Sequence, residues 1–206
     1  MDITEIAELI QAGERRNVEF KSGGPLTEQH LLARVTRAIL ALANTRGGGL
    51  VLIGVGEIAG APNVSGIDAV NLATWTFDDL TAKVASYADP YVSFDMELIN
   101  VEGATIIGLR VNEFEEVPVL CKKAYDTPGP NIRTVLKKGA VYVRGRPKPE
   151  SIEVSSVADM RELIDLAVEK QLANFARKIG ISGVGIAAEP IQPVVADLYA
   201  QERGGF

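Results

Sequence analysis

The sequence is poor in cysteine: Cys121 is the only one among 206 residues, so no internal disulfide can form. Such a chain is typical of a reducing compartment, and a cytoplasmic protein is predicted. It contains no run of roughly 18 or more apolar residues, which argues against a membrane-spanning helix. The segment from Met1 to Glu5 is acidic and lacks the basic and apolar blocks of a secretory signal, so none is expected.

Several catalytic patterns are also missing. No Gly-x-x-x-x-Gly-Lys-Ser/Thr occurs, so a P-loop ATPase is unsupported. Residues 54–56 (Gly-Val-Gly) followed by Gly60 miss the dinucleotide fingerprint by one residue. His30 is the only histidine, which excludes a paired-histidine site and favours a surface residue. Cys121 has no histidine near it in sequence and is predicted to be a small buried residue.

Charge is unevenly distributed along the chain. The net charge of −6 does not by itself favour nucleic-acid binding. Residues 78–116 hold nine acids and two bases, a local balance of −7, whereas residues 122–148 hold eight bases and one acid, a balance of +7. Two interpretations are open: a basic face opposite an acidic one, or charges that scatter in space after folding.

Hydrophobic periodicity predicts an α/β domain with a mixed sheet flanked by helices, then a helical extension. Predicted helices cover residues 3–12, 78–87 and 157–178. A further helix is predicted to begin after an N-cap at Thr27 and to end at residues 44–49. Predicted strands cover residues 18–21, 50–55, 91–101, 104–111, 118–122 and 139–144. Glu102-Gly103 is predicted to turn a hairpin, and the prolines at 147 and 149 are predicted to end the sheet.

The domain organisation follows from these elements. Residues 50–55 are all apolar except Gly54, which is typical of a central strand buried on both faces. We predict a domain over residues 1–150, an amphipathic helical extension over 151–180 and a tail over 181–206 that could link to a further region. The stripe of residues 157–178 is interpreted either as a helix packed on its own sheet or as a dimer contact.

Three segments stand out together. Residues 14–21 read Glu-Arg-Arg-Asn-Val-Glu-Phe-Lys; residues 41–57 contain Ala-x-Ala-Asn-Thr-x-Gly-Gly and end in Gly-Val-Gly-Glu; residues 139–146 contain Tyr-x-Arg-Gly. In this order they resemble the AlbA_2 domain, also called Schlafen-like and once filed as a divergent AAA ATPase, over about residues 5–150.

The resemblance implies nucleic-acid binding, and in the Schlafen branch metal-dependent cleavage of structured RNA such as tRNA. The positions that match that branch's acids are Glu14, Glu19 and Glu57. The third acid departs from the Schlafen pattern, which prefers Asp, and the extra methylene moves the carboxylate outward by about one bond length. Schlafen folds resemble two such lobes around RNA, so a one-lobe chain is expected to form a homodimer.

The chemistry of such a site can be argued from the residue types. Phosphodiester hydrolysis needs an activated water and charge stabilisation, which Mg²⁺ or Mn²⁺ held by Glu14, Glu19 and Glu57 would supply. Lys21 lies two residues after Glu19 on the same strand face and is predicted to hold a phosphate or stabilise the transition state. The alternative is structural: Glu14 and Glu19 pair with nearby bases, and Glu57 is a loop residue.

Two further segments have candidate roles. Residues 44–49 are interpreted mainly as a helix C-cap with positive-φ glycines, and secondarily as a phosphate cradle. A basic patch for phosphates is predicted from Arg133, Lys137, Lys138, Arg144, Arg146 and Lys148. Arg144 and Arg146 are expected to share one strand face, whereas Tyr142 is interpreted as a packed residue rather than a base-stacking one.

The sequence therefore predicts a protein that binds RNA or DNA, with metal-dependent endoribonuclease activity as the stronger form. The alternative from another class is a non-catalytic DNA-binding, regulatory or protein-interaction module, for which the acidic residues 78–116 are suitable. Nucleotide binding is a third hypothesis. It rests only on the former family label. No membrane partner is expected.

Overall fold

The computed structural model describes residues 3–58 and 60–182. The helices in this part of the chain are α1 (Ile3–Gln11), α2 (Gln29–Ala43), α3 (Ala69–Leu72), α4 (Phe77–Ala85) and α5 (Val157–Ser182). The strands are β1 (Val18–Lys21), β2 (Gly49–Ile53), β3 (Val55–Ile58), β4 (Ala61–Val64), β5 (Ala88–Asp89), β6 (Phe94–Val101), β7 (Ala104–Val111), β8 (Leu120–Cys121), β9 (Tyr125–Asp126), β10 (Thr134–Leu136), β11 (Tyr142–Arg144) and β12 (Ser151–Glu153).

The main sheet has the order β1-β2-β7-β6. β1 runs parallel to β2, whereas β2 with β7 and β6 with β7 are antiparallel pairs. The sheet is therefore mixed, and helices flank it, which confirms the predicted fold class. Among the described residues, no helix has the length and apolarity that crossing a membrane requires.

Strand β2 explains why helices cover both faces of the sheet. Val51 and Ile53 belong to the large core cluster that contains α2, whereas Leu50 and Leu52 belong to a second cluster with Ile6 and Ile10 of α1. Successive strand side chains point to opposite faces, so an all-apolar strand needs an apolar layer on each side. The sequence prediction of a doubly buried central strand is confirmed.

The start of α2 differs from the prediction. Its N-cap is Glu28, which has extended backbone angles and makes no side-chain capping hydrogen bond, whereas Thr27 lies one residue outside. Glu28 N donates to Pro25 O at 3.1 Å, so the turn after Pro25 sets the point at which the helix begins. The C-terminal end matches the prediction, because Asn44 is the C-cap and Gly47 and Gly48 have positive φ.

The β6–β7 hairpin confirms the predicted turn. Val101 pairs with Ala104, and the two residues between them, Glu102 and Gly103, have φ of 52° and 86°. Both positive values belong to the two-residue turn whose twist matches that of the flanking strands.

The prediction that the prolines at 147 and 149 end the sheet is wrong. The chain turns through this segment and returns as β12, antiparallel to β11, with Arg144 opposite Ser151. Gly145 N closes the turn by donating to Glu150 O at 2.8 Å. The prolines lie in the connection, where no ladder hydrogen bond is lost, so they are compatible with a hairpin.

Helix α5 confirms the predicted helix over residues 157–178. Leu163 and Leu166 are buried in the main core cluster. Residues up to Gln171 form one compact unit, and a second unit begins at Leu172, whose described part is helical. The predicted tail at 181–206 lies, from residue 183 on, outside the described residues, and the predicted domain boundary at residue 150 stays a prediction.

Candidate functional site

A cleft of about 760 Å³ lies at the C-terminal end of β1. Its walls come from β1, α2, β3 and the β11–β12 connection. The charged residues that line it are Glu14, Glu19, Lys21, Arg34, Arg37, Glu57, Lys148 and Glu150. Four cations and four carboxylates thus face one concave surface, and their pairing decides what the cleft can bind.

Glu19 lies at the bottom of the cleft and is 6% exposed. One carboxylate oxygen accepts from Lys21 Nζ, and the other accepts from Arg144 Nη1 at 2.5 Å and from Ser151 Oγ at 2.6 Å. Both oxygens therefore already hold cationic donors. Of the three glutamates, Glu19 is the one with a complete set of protein partners.

Arg144 is fully buried, which contradicts its predicted place in a surface basic patch. Besides Glu19, its guanidinium donates to backbone carbonyls: Nε to Arg16 O at 3.1 Å, and Nη2 to Arg15 O at 3.0 Å and Pro149 O at 2.6 Å. Because its donors are used inside the protein, Arg144 is not available to a polyanion. It joins the segment before β1 to the β11–β12 hairpin.

Lys21 shares the strand face of Glu19, as predicted, and is 7% exposed. Its Nζ also donates to Phe20 O at 3.0 Å. Burial lowers the pKa of Lys21, the charge of Glu19 opposes that shift, and the positive charge of Arg34 lowers the pKa further. Lys21 thus lies in a poorly solvated position at the cleft wall, beside Glu19.

Glu14 and Glu57 line the same cleft from its rim. Both are exposed, and Glu14 Oε1 accepts from Phe20 N at 2.7 Å, which anchors Glu14 to β1. The three predicted acids therefore share one cavity, although they come from distant parts of the sequence.

The structure does not bring the three glutamates together as a set of three metal ligands. Within the described ranges, no group of three histidine, cysteine or acidic side chains is close enough to hold a metal ion. A metal on Glu19 would also lie beside the charges of Lys21 and Arg144, and like charges at such short range repel strongly in a poorly solvated site. The metal ligand set that the resemblance implies is therefore not supported by this geometry.

Arg34 and Arg37 of α2 line the cleft and were missed by the sequence argument. Neither forms an ion pair within the described part of the chain. Arg37 Nη1 reaches Val135 O at 3.5 Å, its Cζ lies 5.0 Å from the Tyr142 ring centroid, and its Nε is buried without a hydrogen-bond partner. The sequence does contain a signal for this pair, because two arginines three residues apart on a predicted helix share one face.

The predicted basic patch loses Arg144 to the interior, and three of its other members are paired with carboxylates. Arg146 lies beyond the end of β11, so it does not share a strand face with Arg144. Exposed ion pairs join three patch members to carboxylates: Lys137 to Glu153, Arg146 to Glu162, and Lys148 to Glu150. Arg133 and Lys138 are exposed without an ion pair in the described residues. Of the six predicted residues, Lys148 alone is among those that line the cleft.

Tyr142 and Asn44 have structural roles. Tyr142 is buried, and its hydroxyl accepts from Lys137 N at 2.8 Å, which confirms its interpretation as a packed residue. Asn44 Nδ2 donates to Val119 O at 2.8 Å and Tyr142 O at 2.9 Å, and its Oδ1 accepts from Val119 N at 2.8 Å. A side chain on Gly48 would meet the Val111 carbonyl. This motif therefore connects α2 to the strands beside it.

The structure confirms the predicted environment of Cys121 but not that of His30. Cys121 is buried, as predicted, and burial raises the pKa of its thiol. His30 is half-buried rather than on the open surface, and its Nδ1 has no hydrogen-bond partner among the described residues.

A family model matches this chain, and solved structures are similar to it. A family model described as Schlafen, AlbA_2 matches residues 14–152. No curated protein matches the chain. A crystal structure of the DIP2311 protein from Corynebacterium diphtheriae is similar at 15% identity and a TM-score of 0.48, over 78% of this chain and 28% of that one. The N-terminal domain of a RecG-related protein from Nitrosomonas europaea, solved by NMR, is similar at 21% identity and a TM-score of 0.44, over 64% and 84%.

Proposed function

Because the chain belongs to the Schlafen AlbA_2 family, we propose that it binds nucleic acid, and that the cleft at the end of β1 holds the phosphate backbone. Nucleic-acid binding is what the family resemblance implies. The cleft supplies a surface on which this chain's own residues could do so.

The observation that carries the proposal is the pair Arg34 and Arg37. They share one face of α2 at the cleft wall, and neither forms an ion pair in the described residues, although the charge of Glu150 in the same cleft interacts with that of Arg37. Arg37 Nη1 makes only a long hydrogen bond of 3.5 Å to Val135 O, so the guanidinium has donor capacity left for a phosphate oxygen. Arginine suits this role because its planar donors match the geometry of phosphate.

Lys21 and Lys148 also line the cleft, but each is paired with a carboxylate, so Arg34 and Arg37 are its unpaired cations among the described residues. Phe20 is the aromatic residue among those that line the cleft, and it is buried, so it offers no stacking platform. We therefore expect recognition by charge and backbone shape more than by base identity.

The test is a binding titration with a fluorescent RNA hairpin and a DNA of the same sequence at several salt concentrations. Binding should weaken steeply with salt, and Arg34→Ala or Arg37→Ala should each lower affinity and reduce the salt slope by about one. Arg110→Ala is the matched control, since Arg110 is exposed on β7 and does not line the cleft. Equal affinities for all three variants would reject the site. Salt-independent behaviour would favour the protein-interaction alternative.

Endoribonuclease activity is the second candidate. The observation in its favour is that Glu14, Glu19 and Glu57 line one cleft, and the observation against it is that Glu19 is already saturated by protein donors. tRNA incubated with the protein and Mn²⁺ or Mg²⁺ is expected to remain intact. Metal-dependent cleavage that is lost in Glu57→Gln, a variant that leaves the buried pair untouched, would establish the nuclease.

A further inference from the structure

Helix α5 has two apolar faces within the first compact unit. Leu163 and Leu166 point into the core and are 3% and 2% exposed. Met160, Ile164 and Val168 are 47%, 54% and 47% exposed, and Val157 at the start of the helix is more exposed still. The helix therefore packs on its own domain with one face and presents a second apolar face outward.

The outward residues form a continuous stripe. At about 100° per residue, Val157, Met160, Ile164 and Val168 fall within roughly 80° of the helix circumference, with their centre about 135° away from that of the buried side chains. A solvated helix face is normally polar, and an apolar stripe that is contiguous marks an interaction surface more often than single exposed residues do.

Two opposite charges lie on one flank of this stripe. Arg161 and Asp165 are exposed, and neither forms an ion pair within the described residues. Both line a groove of about 680 Å³ that runs beside the helix. Although they are four residues apart, the order with the cation first is the weaker one for pairing within a helix, so both charges are free to meet a partner.

We propose that the α5 stripe, defined as Val157, Met160, Ile164 and Val168, binds the same stripe of a second copy of this chain in an antiparallel, two-fold arrangement. With the axis near Ile164, Met160 of each copy lies opposite the partner's Val168. Arg161 of each copy then lies beside the partner's Asp165.

Charge complementarity identifies the second copy as the occupant. In a two-fold interface, each contact between two residues occurs twice, so the surface of one copy must be complementary to the same surface of the other. One flank of α5 carries both members of the required ion pair at the spacing that antiparallel helices need. In antiparallel helix pairs, charged residues that flank the apolar seam set orientation and partner choice.

The first experiment measures the mass of the full chain by analytical ultracentrifugation from low to high micromolar concentration. The wild type is expected to be a dimer, and Ile164→Glu with Val168→Glu is expected to be a folded monomer by circular dichroism. Val70→Glu is the matched control, because Val70 is 80% exposed on α3, away from the stripe, and this variant should remain a dimer. A monomeric wild type, or a dimer that tolerates both glutamates, would overturn the proposal.

The second experiment tests the pairing by charge reversal. Arg161→Asp and Asp165→Arg each place like charges together, and each is expected to raise the dimer dissociation constant about tenfold or more. The double variant restores opposite charges and should regain the wild-type dissociation constant. Failure of the double variant to recover would contradict the antiparallel arrangement. A wild type that is monomeric while Ile164→Glu lowers the melting temperature would show that the chain covers the stripe itself.

Discussion

The carboxylate of Glu19 and the guanidinium of Arg144 meet at 2.5 Å inside the domain, although the two residues are 125 positions apart in the sequence. This buried ion pair changes the interpretation of both residues. Glu19 is one of the three residues that the family resemblance implies as metal ligands, and Arg144 is one of the six predicted as phosphate contacts. In the structure each serves as the principal partner of the other.

Removal of one member of this pair should be strongly destabilising. Glu19→Gln leaves Lys21 and Arg144 buried without a carboxylate, and Arg144→Met leaves Lys21 as the one cation on Glu19. Breaking a buried pair in this way costs about 3–5 kcal/mol of unfolding free energy. Urea unfolding of each single variant measures this cost. Lys137→Met is the control, because its pair with Glu153 is exposed and its loss should leave the free energy of unfolding nearly unchanged. Equal stabilities for core and control variants would refute a structural role for the pair.

The cleft should lack a tight divalent-metal site. Mn²⁺ titrated into the protein and followed by the electron paramagnetic resonance signal of the free ion should remain largely unbound, because Glu19 already holds Lys21 and Arg144. Glu57→Gln should behave like Glu102→Gln, which alters an exposed acid at the hairpin tip. Stoichiometric Mn²⁺ binding that Glu57→Gln abolishes and Glu102→Gln leaves intact would reverse this conclusion.

Asn44 should contribute to stability and not to binding directly. Asn44→Ala leaves Val119 N, Val119 O and Tyr142 O without their side-chain partner in the interior, and each unsatisfied buried group costs about 1–3 kcal/mol. Thermal unfolding should show a clear loss for this variant and almost none for Asn112→Ala, which removes an exposed hydrogen bond to Ser93. The reverse order of stabilities would be inconsistent with the role assigned to the motif.

Glu162 should make stability depend on pH in the acid range. Hydrogen bonds from Arg16 and Arg146 lower the pKa of Glu162 below its usual 4.5, against an opposing effect of burial. A carboxyl group with a lowered pKa in the folded state stabilises the protein above pH 4.5, and that contribution is lost as the pH falls through the folded value. The difference in unfolding free energy between wild type and Glu162→Gln should be larger at pH 7 than at pH 3, and a constant difference would contradict the assignment.

Features set by local periodicity were predictable from the sequence. The doubly buried β2, the Glu102-Gly103 turn and the helix at α5 each depend on neighbouring residues alone. The pairing of Arg144 with Glu19 was not predictable. Strand periodicity gives the face on which a side chain lies, but it does not show that the β11–β12 hairpin packs beside β1. Arg34 and Arg37 were not predicted as site residues because the density of charge along the sequence is highest in residues 122–148. Their shared position becomes apparent only when charges are placed around helix α2.

Nucleic-acid binding at the cleft can be observed directly by titrating isotopically labelled protein with a short RNA hairpin and recording ¹H–¹⁵N correlation spectra at low and moderate salt. We expect the largest shifts at amides around the cleft, such as Ser22, Arg34, Gly56 and Ser151, and we expect them to diminish as salt rises. Shifts confined to the surface around Lys122 and Arg133, with the cleft unperturbed at saturating RNA, would contradict binding at the cleft.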